Sequence, residues 1–324
     1  MLVSEGHRVA PEQKTPEFIE MLKLQYTPDE ARLATQIGFT GGKLDDLAEK
    51  TGIKKETLKK KLDTMAHKGT LWIDPVGDNP TYKALALEAP GIIEAAGWAI
   101  HTFPWLPELR KRWHHYYLTY YKEAIVKKGP APLGPYAASK ALPPDATPEE
   151  NIIDVVKGVD YWAVSNCGCR VFEQAALGHR KCQHPMDVCM SFGEIGRWAA
   201  KNGFAREITC DEAIKVVLKA EDEGLIHYGL PSFGIMCNCC KDVCLNLLGL
   251  QIGLPHVMGP NPFVAVCDEE TCTACSICDD RCHVDAITID KFATVDVNKC
   301  LGCGVCVVGC DQGALKLQRR PSTG

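Results

Sequence analysis

Cysteine is absent from the first 166 residues of this 324-residue chain, although the chain as a whole contains 18. A small secreted protein held by disulfides distributes its cysteines along its whole length, so this distribution excludes that class. The first residues also lack the apolar segment of a secretory signal peptide. These absences predict a reduced, cytoplasmic protein, and in that compartment clustered thiols bind metals or carry redox chemistry.

Other absences narrow the function further. The most apolar long stretch, residues 84–100, is interrupted by Glu88, Pro90 and Glu94, so the sequence predicts no membrane span. The phosphate-binding patterns G-x-G-x-x-G and G-x-x-x-x-G-K-S/T are missing, so no nucleotide or flavin site is predicted. The formal net charge of −5 gives no general attraction to nucleic acid or anionic lipid.

The last part of the chain contains one cysteine pattern twice. Each copy has the spacing C-x2-C-x2-C-x3-C, and each cysteine of the first copy has a counterpart 28 residues later. Three thiolates two residues apart can hold three corners of one cubane, whereas the fourth lies too far along the chain and faces the other cluster. The sequence therefore predicts two 4Fe-4S clusters with exchanged fourth ligands. The first set of ligands is Cys272, Cys275, Cys278 and Cys310, and the second set is Cys300, Cys303, Cys306 and Cys282.

Residues 264–320 thus resemble the bacterial two-cluster ferredoxins, with all eight ligand positions matched. Two zinc sites are the alternative, but zinc modules group their cysteines as two and two, whereas a triplet with a detached fourth is typical of iron–sulfur binding. One departure is that His283 and Asp311 replace the proline that usually follows the fourth cysteine. His283 either makes the cluster potential depend on pH or is a solvated surface residue.

A second field of cysteines lies in the middle of the chain. We expect Cys210 and Cys267 to be structural, because the first begins a predicted helix and the second lies in a predicted strand. The other cysteines are candidate ligands for additional iron–sulfur binding. One additional cluster is the first interpretation and two clusters are the second, and a zinc site is the alternative. The adjacent thiols of Cys239 and Cys240 are expected to point in different directions. The candidates are Cys167, Cys169, Cys182, Cys189, Cys237, Cys239, Cys240 and Cys244.

Three motifs of this central field carry a resemblance to a family. They are Asn166-Cys167-Gly168-Cys169-Arg170, His184-Pro185-Met186-Asp187-Val188-Cys189-Met190-Ser191-Phe192-Gly193 and Cys237-Asn238-Cys239-Cys240. Over residues 40–318 the chain resembles cytoplasmic iron–sulfur proteins of anaerobic bacteria and archaea. That resemblance implies a winged-helix-like N-terminal part, a central cysteine region and a C-terminal two-cluster ferredoxin. It also implies electron transfer and additional cluster binding in the centre.

The N-terminal half has the pattern of a winged helix over residues 44–84. A short helix, a turn at Thr51-Gly52-Ile53 and a second helix over residues 54–68 precede a predicted hairpin. Leu58, Leu62 and Met65 are expected to face inward. Residues 1–90 contain 13 basic and 14 acidic residues, so DNA is disfavoured as a partner for the lysine-rich helix. Eight aromatic residues then fall within residues 98–121.

These patterns predict an α+β multidomain protein in four segments. Residues 1–128 form the winged-helix-like and aromatic-rich helical region, and residues 129–148, rich in proline and glycine, form an extended linker. Residues 149–258 form a mostly helical, cysteine-rich domain that binds a cluster, and residues 259–324 form the two-cluster ferredoxin domain.

The predicted function is the relay of single, low-potential electrons between protein redox partners. It uses two ferredoxin 4Fe-4S clusters and at least one central cluster. An electron carrier or a subunit of an oxidoreductase complex is favoured over a stand-alone enzyme, and the chain is expected to be a homo-oligomer or part of a larger complex. One alternative is a reductase with a catalytic central cluster, and another is a redox-sensing winged-helix regulator of transcription.

Overall fold

The computed structural model describes residues 15–85, 92–121, 134–230, 234–251 and 258–321. Helices and strands are mixed along the chain. The elements up to residue 121 are α1 (Pro16–Gln25), α2 (Pro28–Ile37), β1 (Gly42–Lys43), α3 (Leu44–Thr51), α4 (Lys55–His67), β2 (Leu71–Asp74), β3 (Thr81–Ala84), α5 (Ile92–Trp98), α6 (Leu106–Tyr116) and a π-helical turn, Tyr117–Tyr121.

The remaining elements continue in chain order. They are β4 (Pro135–Tyr136), α7 (Ile152–Lys157), β5 (Trp162–Ser165), α8 (Gly168–Leu177), β6 (Cys189–Phe192), α9 (Gly193–Lys201), β7 (Arg206–Ile208), α10 (Cys210–Asp222), β8 (Ile226–Leu230), β9 (Ile235–Cys239), α11 (Leu245–Gln251), β10 (Phe263–Cys267), α12 (Ile277–Asp280), β11 (Ile287–Ile289), β12 (Ala293–Val295), α13 (Val305–Val308) and β13 (Leu315–Arg319). No helix of the described ranges has the length and apolar character needed to cross a membrane.

The chain divides into two compact units. The first comprises Met1–Lys128, Ala163–Lys181 and Gly193–Glu207, and the second comprises Gly129–Trp162, Cys182–Phe192 and Ile208–Gly324. Residues 149–258, expected as one domain, thus contribute to both units. The four-segment organisation stays a prediction.

The first unit contains the helices and hairpin expected over residues 44–84. Strands β1, β3 and β2 form an antiparallel sheet in that order. The inward face of α4 is confirmed, since Leu58, Leu62 and Met65 are fully buried. The apolar spacing along this helix therefore marks the side that packs against the rest of the unit.

Among the described residues, two α-helices begin with a capping box that their sequences encode. At the start of α2, the Thr27 hydroxyl accepts from the Glu30 backbone N–H, and the Glu30 carboxylate accepts from the Thr27 N–H. Thr209 and Glu212 make the same reciprocal bonds at the start of α10. Each box satisfies two backbone donors that the first turn of a helix leaves without an intrahelical partner.

In the first unit α8 begins beside α5. A Cβ atom on Gly97 would lie 2.8 Å from the Cα of Gly168, so glycine is needed for this close approach. The sequence of residues 160–165 predicts a strand and that of residues 170–177 a helix, and the structure confirms both as β5 and α8. The start of α8 therefore carries Cys167, Gly168 and Cys169 beside another helix of the unit.

The second unit contains the antiparallel strands β4, β8, β9 and β6, paired in that order. The sequence predicts an extended linker over residues 129–148. The described part of it, residues 134–148, instead contributes a strand to this unit's sheet and buried residues to its core. Pro135 of β4 lies opposite Tyr228 of β8, and Ala137, Ala138 and Ala141 are buried in a hydrophobic core. A strand of two residues has almost no sequence signal of its own, because its partner strand defines it.

The centre of the chain also differs from the mostly helical domain that was expected. The described part of residues 149–258 contains the strands β5, β6, β7, β8 and β9 beside its helices. The sequence predicts amphipathic helices over residues 192–201 and 211–223, and these are present as α9 and α10. Helices and strands alternate here, so the cysteines of this region lie at the ends of both kinds of element.

The duplication seen in the sequence is also present in the backbone. Helix α12 contains the third cysteine of the first triplet, as α13 contains that of the second, and both helices are preceded by a residue in the left-handed region. Three non-glycine residues of the described chain have a positive φ, and each corresponds to a glycine 28 residues later. The pairs are Ala274 (φ 53°) with Gly302 (φ 77°), Ser276 (φ 67°) with Gly304 (φ 74°), and Asp285 (φ 51°) with Gly313 (φ 65°).

Candidate iron–sulfur and metal centres

The first set of predicted ligands lies around one cavity. Cys272, Cys275, Cys278 and Cys310 all line it, although Cys310 is far from the other three in sequence. The rest of the wall is largely apolar and includes Leu315. Cys275 is exposed and Cys278 is buried, so the cavity extends from the surface into the core. These four thiols form a donor set that fits a 4Fe-4S cluster.

Backbone N–H groups point at the sulfur atoms of this region. The N–H of Ala293 donates to Cys272 Sγ at 3.4 Å, and the N–H of Ala286 donates to Cys282 Sγ at 3.2 Å. Hydrogen bonds from the backbone of Ala274 and Ala293 lower the pKa of the Cys272 thiol. Such donors stabilise a thiolate, which is the form that binds a metal.

The second set of predicted ligands is also brought together. Burial raises the pKa of the Cys303 thiol to about 12, and the neighbouring Cys300 and Cys282 contribute to the increase. Burial and the neighbouring Cys303, Cys300 and Cys282 likewise raise the pKa of Cys306. Crowded, buried thiols hold their protons unless a metal replaces them, so this donor set also fits an iron–sulfur cluster.

The two sets are neighbours. Cys278 of the first set is close enough to Cys306 of the second to contribute to its raised pKa. Cys278, Cys282, Cys300 and Cys306 belong to one hydrophobic core of the second unit. Both donor sets therefore contribute ligands to the same apolar core.

Cys267 lies beside the first set, at the end of β10. Burial raises the pKa of its thiol to about 11, and a hydrogen bond with Cys272 contributes to the increase. Its expected structural role stays a prediction. Cys210 is the first residue of α10, after the capping Thr209, as the sequence indicated.

The central cysteines fall into separate groups. Hydrogen bonds with Cys237 and Cys244, together with burial, raise the pKa of the Cys239 thiol well above its usual range. We call Cys237, Cys239 and Cys244 the third set. The adjacent Cys240 is not part of the third set. Its Sγ contacts that of Cys182, at a distance of 3.3 Å. The thiols of Cys239 and Cys240 thus meet different partners.

The other central candidates lie at separate places in the fold. Cys167 and Cys169 are paired by a hydrogen bond at the start of α8 in the first unit, and this bond, together with burial, raises the pKa of Cys167. Cys189 is buried at the beginning of β6 in the second unit.

The third set shares an apolar group with the second set. Cys239 and Cys244 are buried together with Leu301 and Val305, and the partly buried Cys303 packs against this group. Since Cys303 is a predicted cluster ligand, the third set lies next to the second predicted cluster.

A tyrosine also lies beside the third set. Burial raises the pKa of Tyr228, and the charges of Cys239, Cys237 and Cys244 add to the increase. The phenol therefore stays neutral near these thiols at physiological pH.

His283 is not the solvated surface residue of one sequence interpretation. Its side chain is 6% exposed. Its Nε2 lies 2.6 Å from the Gly224 carbonyl oxygen, and its Nδ1 accepts from the Lys241 backbone N–H at 3.2 Å. Burial lowers its pKa to about 4, so the ring is neutral at pH 7.

Sequence reasoning missed two residues beside the central thiols. The donor atoms of His184 and Asp242 lie with those of Cys182 and Cys240, all within 4.8 Å of one another. The available signal was the matched spacing, because Cys182 precedes His184 by two positions and Cys240 precedes Asp242 by two. Each pair combines residue types that ligate metals.

A buried carboxylate lies in the same unit. Glu221 is fully buried, and its Oε1 accepts from the Ser139 backbone N–H at 2.6 Å and lies 3.4 Å from His227 Nε2. His227 in turn contacts Asn238, whose amide donates to the Val188 carbonyl. Burial alone would raise the pKa of Glu221, but the hydrogen bonds from His227 and Ser139 outweigh it and lower the pKa.

Comparison with known proteins gives a partial similarity. The chain is 42% identical over 55 residues to one component of an ion-translocating oxidoreductase complex from Methanosarcina acetivorans. The aligned residues are 17% of this chain and 20% of that component, so the match spans about a fifth of the relative's length. No family model matches the chain, and no solved structure matches it. Together with the 18 cysteines, this similarity supports an iron–sulfur protein of electron transfer.

Proposed function

We propose that the chain carries single electrons between protein partners through three iron–sulfur centres. The first and second sets would each hold a 4Fe-4S cluster, and the third set would contribute ligands to a central cluster. The observation that carries this proposal is the adjacency of the sets. Cys278 of the first set and Cys306 of the second are buried in one hydrophobic core, and Cys303 of the second packs against the group that contains Cys239 and Cys244.

The donor chemistry supports clusters at these positions. A bound 4Fe-4S cluster supplies a one-electron couple, and its potential depends on net charge, hydrogen bonds to sulfur and exposure to solvent. The N–H donors of Ala293 and Ala286 face Cys272 and Cys282. These backbone groups would stabilise the more negative, reduced state without adding a charged side chain.

The surface near the first set suits contact with a redox partner. Cys275 is exposed, and the neighbouring Ile277 is 40% exposed although its side chain is apolar. An exposed apolar residue beside a cluster ligand allows a partner protein to approach the redox centre closely. The first set would then be one port of the relay.

The partial relative suggests the setting of this activity. Since it belongs to an oxidoreductase complex, we propose that this chain also acts within such a complex or with its electron carriers. Residues 264–320 would be a two-cluster ferredoxin, and residues 44–84 would be a winged helix used for contact with protein. The proposed location is the cytoplasm of an anaerobic organism.

Ion pairs on helix α4 argue against the alternative function as a winged-helix regulator of transcription. Lys55 and Lys59 on α4 form ion pairs with Asp45 and Asp63. These pairs reduce the positive potential that a helix needs in order to bind the phosphate backbone of DNA.

The other alternative function, a reductase, requires turnover of a small molecule without a protein partner.

The test is the iron and acid-labile sulfide content of the chain purified without oxygen. We expect about twelve iron atoms in the wild type, from three cubanes. C239A should lose about four of them, and C210A is the matched control that should lose none. About eight iron atoms in both the wild type and C239A would contradict a third centre.

A further inference from the structure

Two loops of the second unit meet because of strand pairing. In the antiparallel pair of β6 and β9, Met190 lies opposite Met236. The residues before β6 therefore lie beside the residues after β9, and the Asn238 amide bonds the Val188 carbonyl at that point. This pairing brings the segment 182–184 to the segment 240–242.

The loops place four metal-ligating groups together. The donor atoms of Cys182, His184, Cys240 and Asp242 all lie within 4.8 Å of one another. Cys182 and Cys240 are 1% and 0% exposed, so their thiols are shielded from solvent. Their sulfur atoms are 3.3 Å apart, which is much longer than a disulfide bond of about 2.05 Å.

We infer that Cys182, His184, Cys240 and Asp242 bind one zinc ion. Two thiolates, one imidazole and one carboxylate are ligands that zinc accepts in a tetrahedral site. With Zn–S bonds of about 2.3 Å, two thiolates of such a site lie about 3.8 Å apart, so these two sulfur atoms need to separate by only about 0.5 Å. Four protein ligands leave no open position, so the ion has a structural role.

This zinc site is separate from the iron–sulfur ligands. Cys240 faces Cys182, whereas the adjacent Cys239 is bonded to Cys237 and Cys244. Cys182 and Cys240 are therefore no longer candidates for the central cluster. The zinc site does not depend on the proposed electron relay.

The zinc ion would hold a loop against the second set. Lys241 lies between the ligands Cys240 and Asp242, and its Nζ donates to the Cys282 carbonyl at 3.2 Å. Its backbone N–H donates to His283 Nδ1. The site is thus adjacent to Cys282, one of the proposed cluster ligands, but does not include it.

The experiment measures zinc and iron by mass spectrometry in the full chain purified without oxygen. The variants are C182S and C240S, with C210S as the matched control. We expect about one zinc per chain in the wild type and C210S, and none in C182S or C240S. Iron should remain unchanged in all four proteins.

Two results would overturn the zinc site. If C182S and C240S lose about four iron atoms and keep their zinc, these thiols bind a cluster. If neither metal changes, the thiols bind no metal. If the proposed electron relay is wrong but the zinc site is right, the wild type should contain little iron and still contain zinc.

A second variant covers the case in which loss of a buried thiol prevents folding. H184A removes a partly exposed ligand, and H179A, at an exposed histidine, is its control. We expect H184A to transfer zinc to a chromogenic chelator about tenfold faster than H179A. Equal rates in the two variants would overturn the site.

Discussion

Adjacent residues can serve different centres when one of them ends a strand. Cys239 is the last residue of β9, and Cys240 follows it. Successive side chains of a strand point to opposite faces, which separates the two thiols. Their divergence could be expected from the sequence, because the alternation is local. The contact of Cys240 with Cys182 could not be expected, because it joins segments that are distant in sequence.

Glu221 allows a test of a single buried charge. Its two oxygens accept from the backbone N–H groups of Ser139 and Lys140, so E221Q leaves one of these donors without an acceptor. An unsatisfied buried group costs about 1–3 kcal/mol, and we expect a loss of that size in the free energy of unfolding. The measurement is anaerobic denaturation in guanidinium chloride. D222N, at the exposed neighbour, is the control and should lose less than about 1 kcal/mol.

The difference in the free energy of unfolding between the wild type and E221Q should also depend on pH. The pKa of Glu221 is lowered in the folded chain. Its contribution to stability is therefore present above the pKa of the unfolded state and is lost as pH falls through the folded pKa. The difference in the free energy of unfolding between the two proteins should shrink on acidification. A difference that stays constant over that range would contradict an ionised Glu221.

At the scale of elements, the repeated loops share an unusual backbone. Ala274 and Ser276 adopt the left-handed conformation in the first copy, where the second copy has Gly302 and Gly304. Left-handed backbone costs a residue with a Cβ atom about 1–2 kcal/mol. That the first copy keeps this conformation without glycine indicates that both loops must turn in the same way around their cysteines.

The two copies provide a matched pair of substitutions. G302A adds a Cβ atom that meets Asn261 Oδ1 and the Phe263 carbonyl oxygen. Asn261 itself donates to the Gly302 carbonyl at 2.9 Å, so this contact must move. We expect G302A to lose about four iron atoms from the second set, while A274G at the equivalent position keeps its full iron content. Equal iron in both variants would contradict a fixed loop geometry.

Local patterns predicted the elements well, and long-range pairings were missed. The helices α3 and α4 and the following hairpin were expected from apolar spacing, since that signal lies within each segment. The cysteine triplets were likewise recognised from spacing alone. Strand β4 was missed because it exists through its pairing with β8. The meeting of His184 with Asp242 was missed because it depends on the register of β6 and β9.

At the scale of the whole molecule, the number of centres determines how many electrons the chain accepts. Each 4Fe-4S cluster takes up one electron at low potential, so three centres should accept about three electrons per chain. The measurement is an anaerobic titration with a strong reductant, followed by absorption and electron paramagnetic resonance. C239A should accept about two electrons and keep the signals of the first and second sets. C210A should behave as the wild type. If the wild type and C239A both accept about two electrons, the third set is not a redox centre, and the relay is confined to the two sets of residues 264–320.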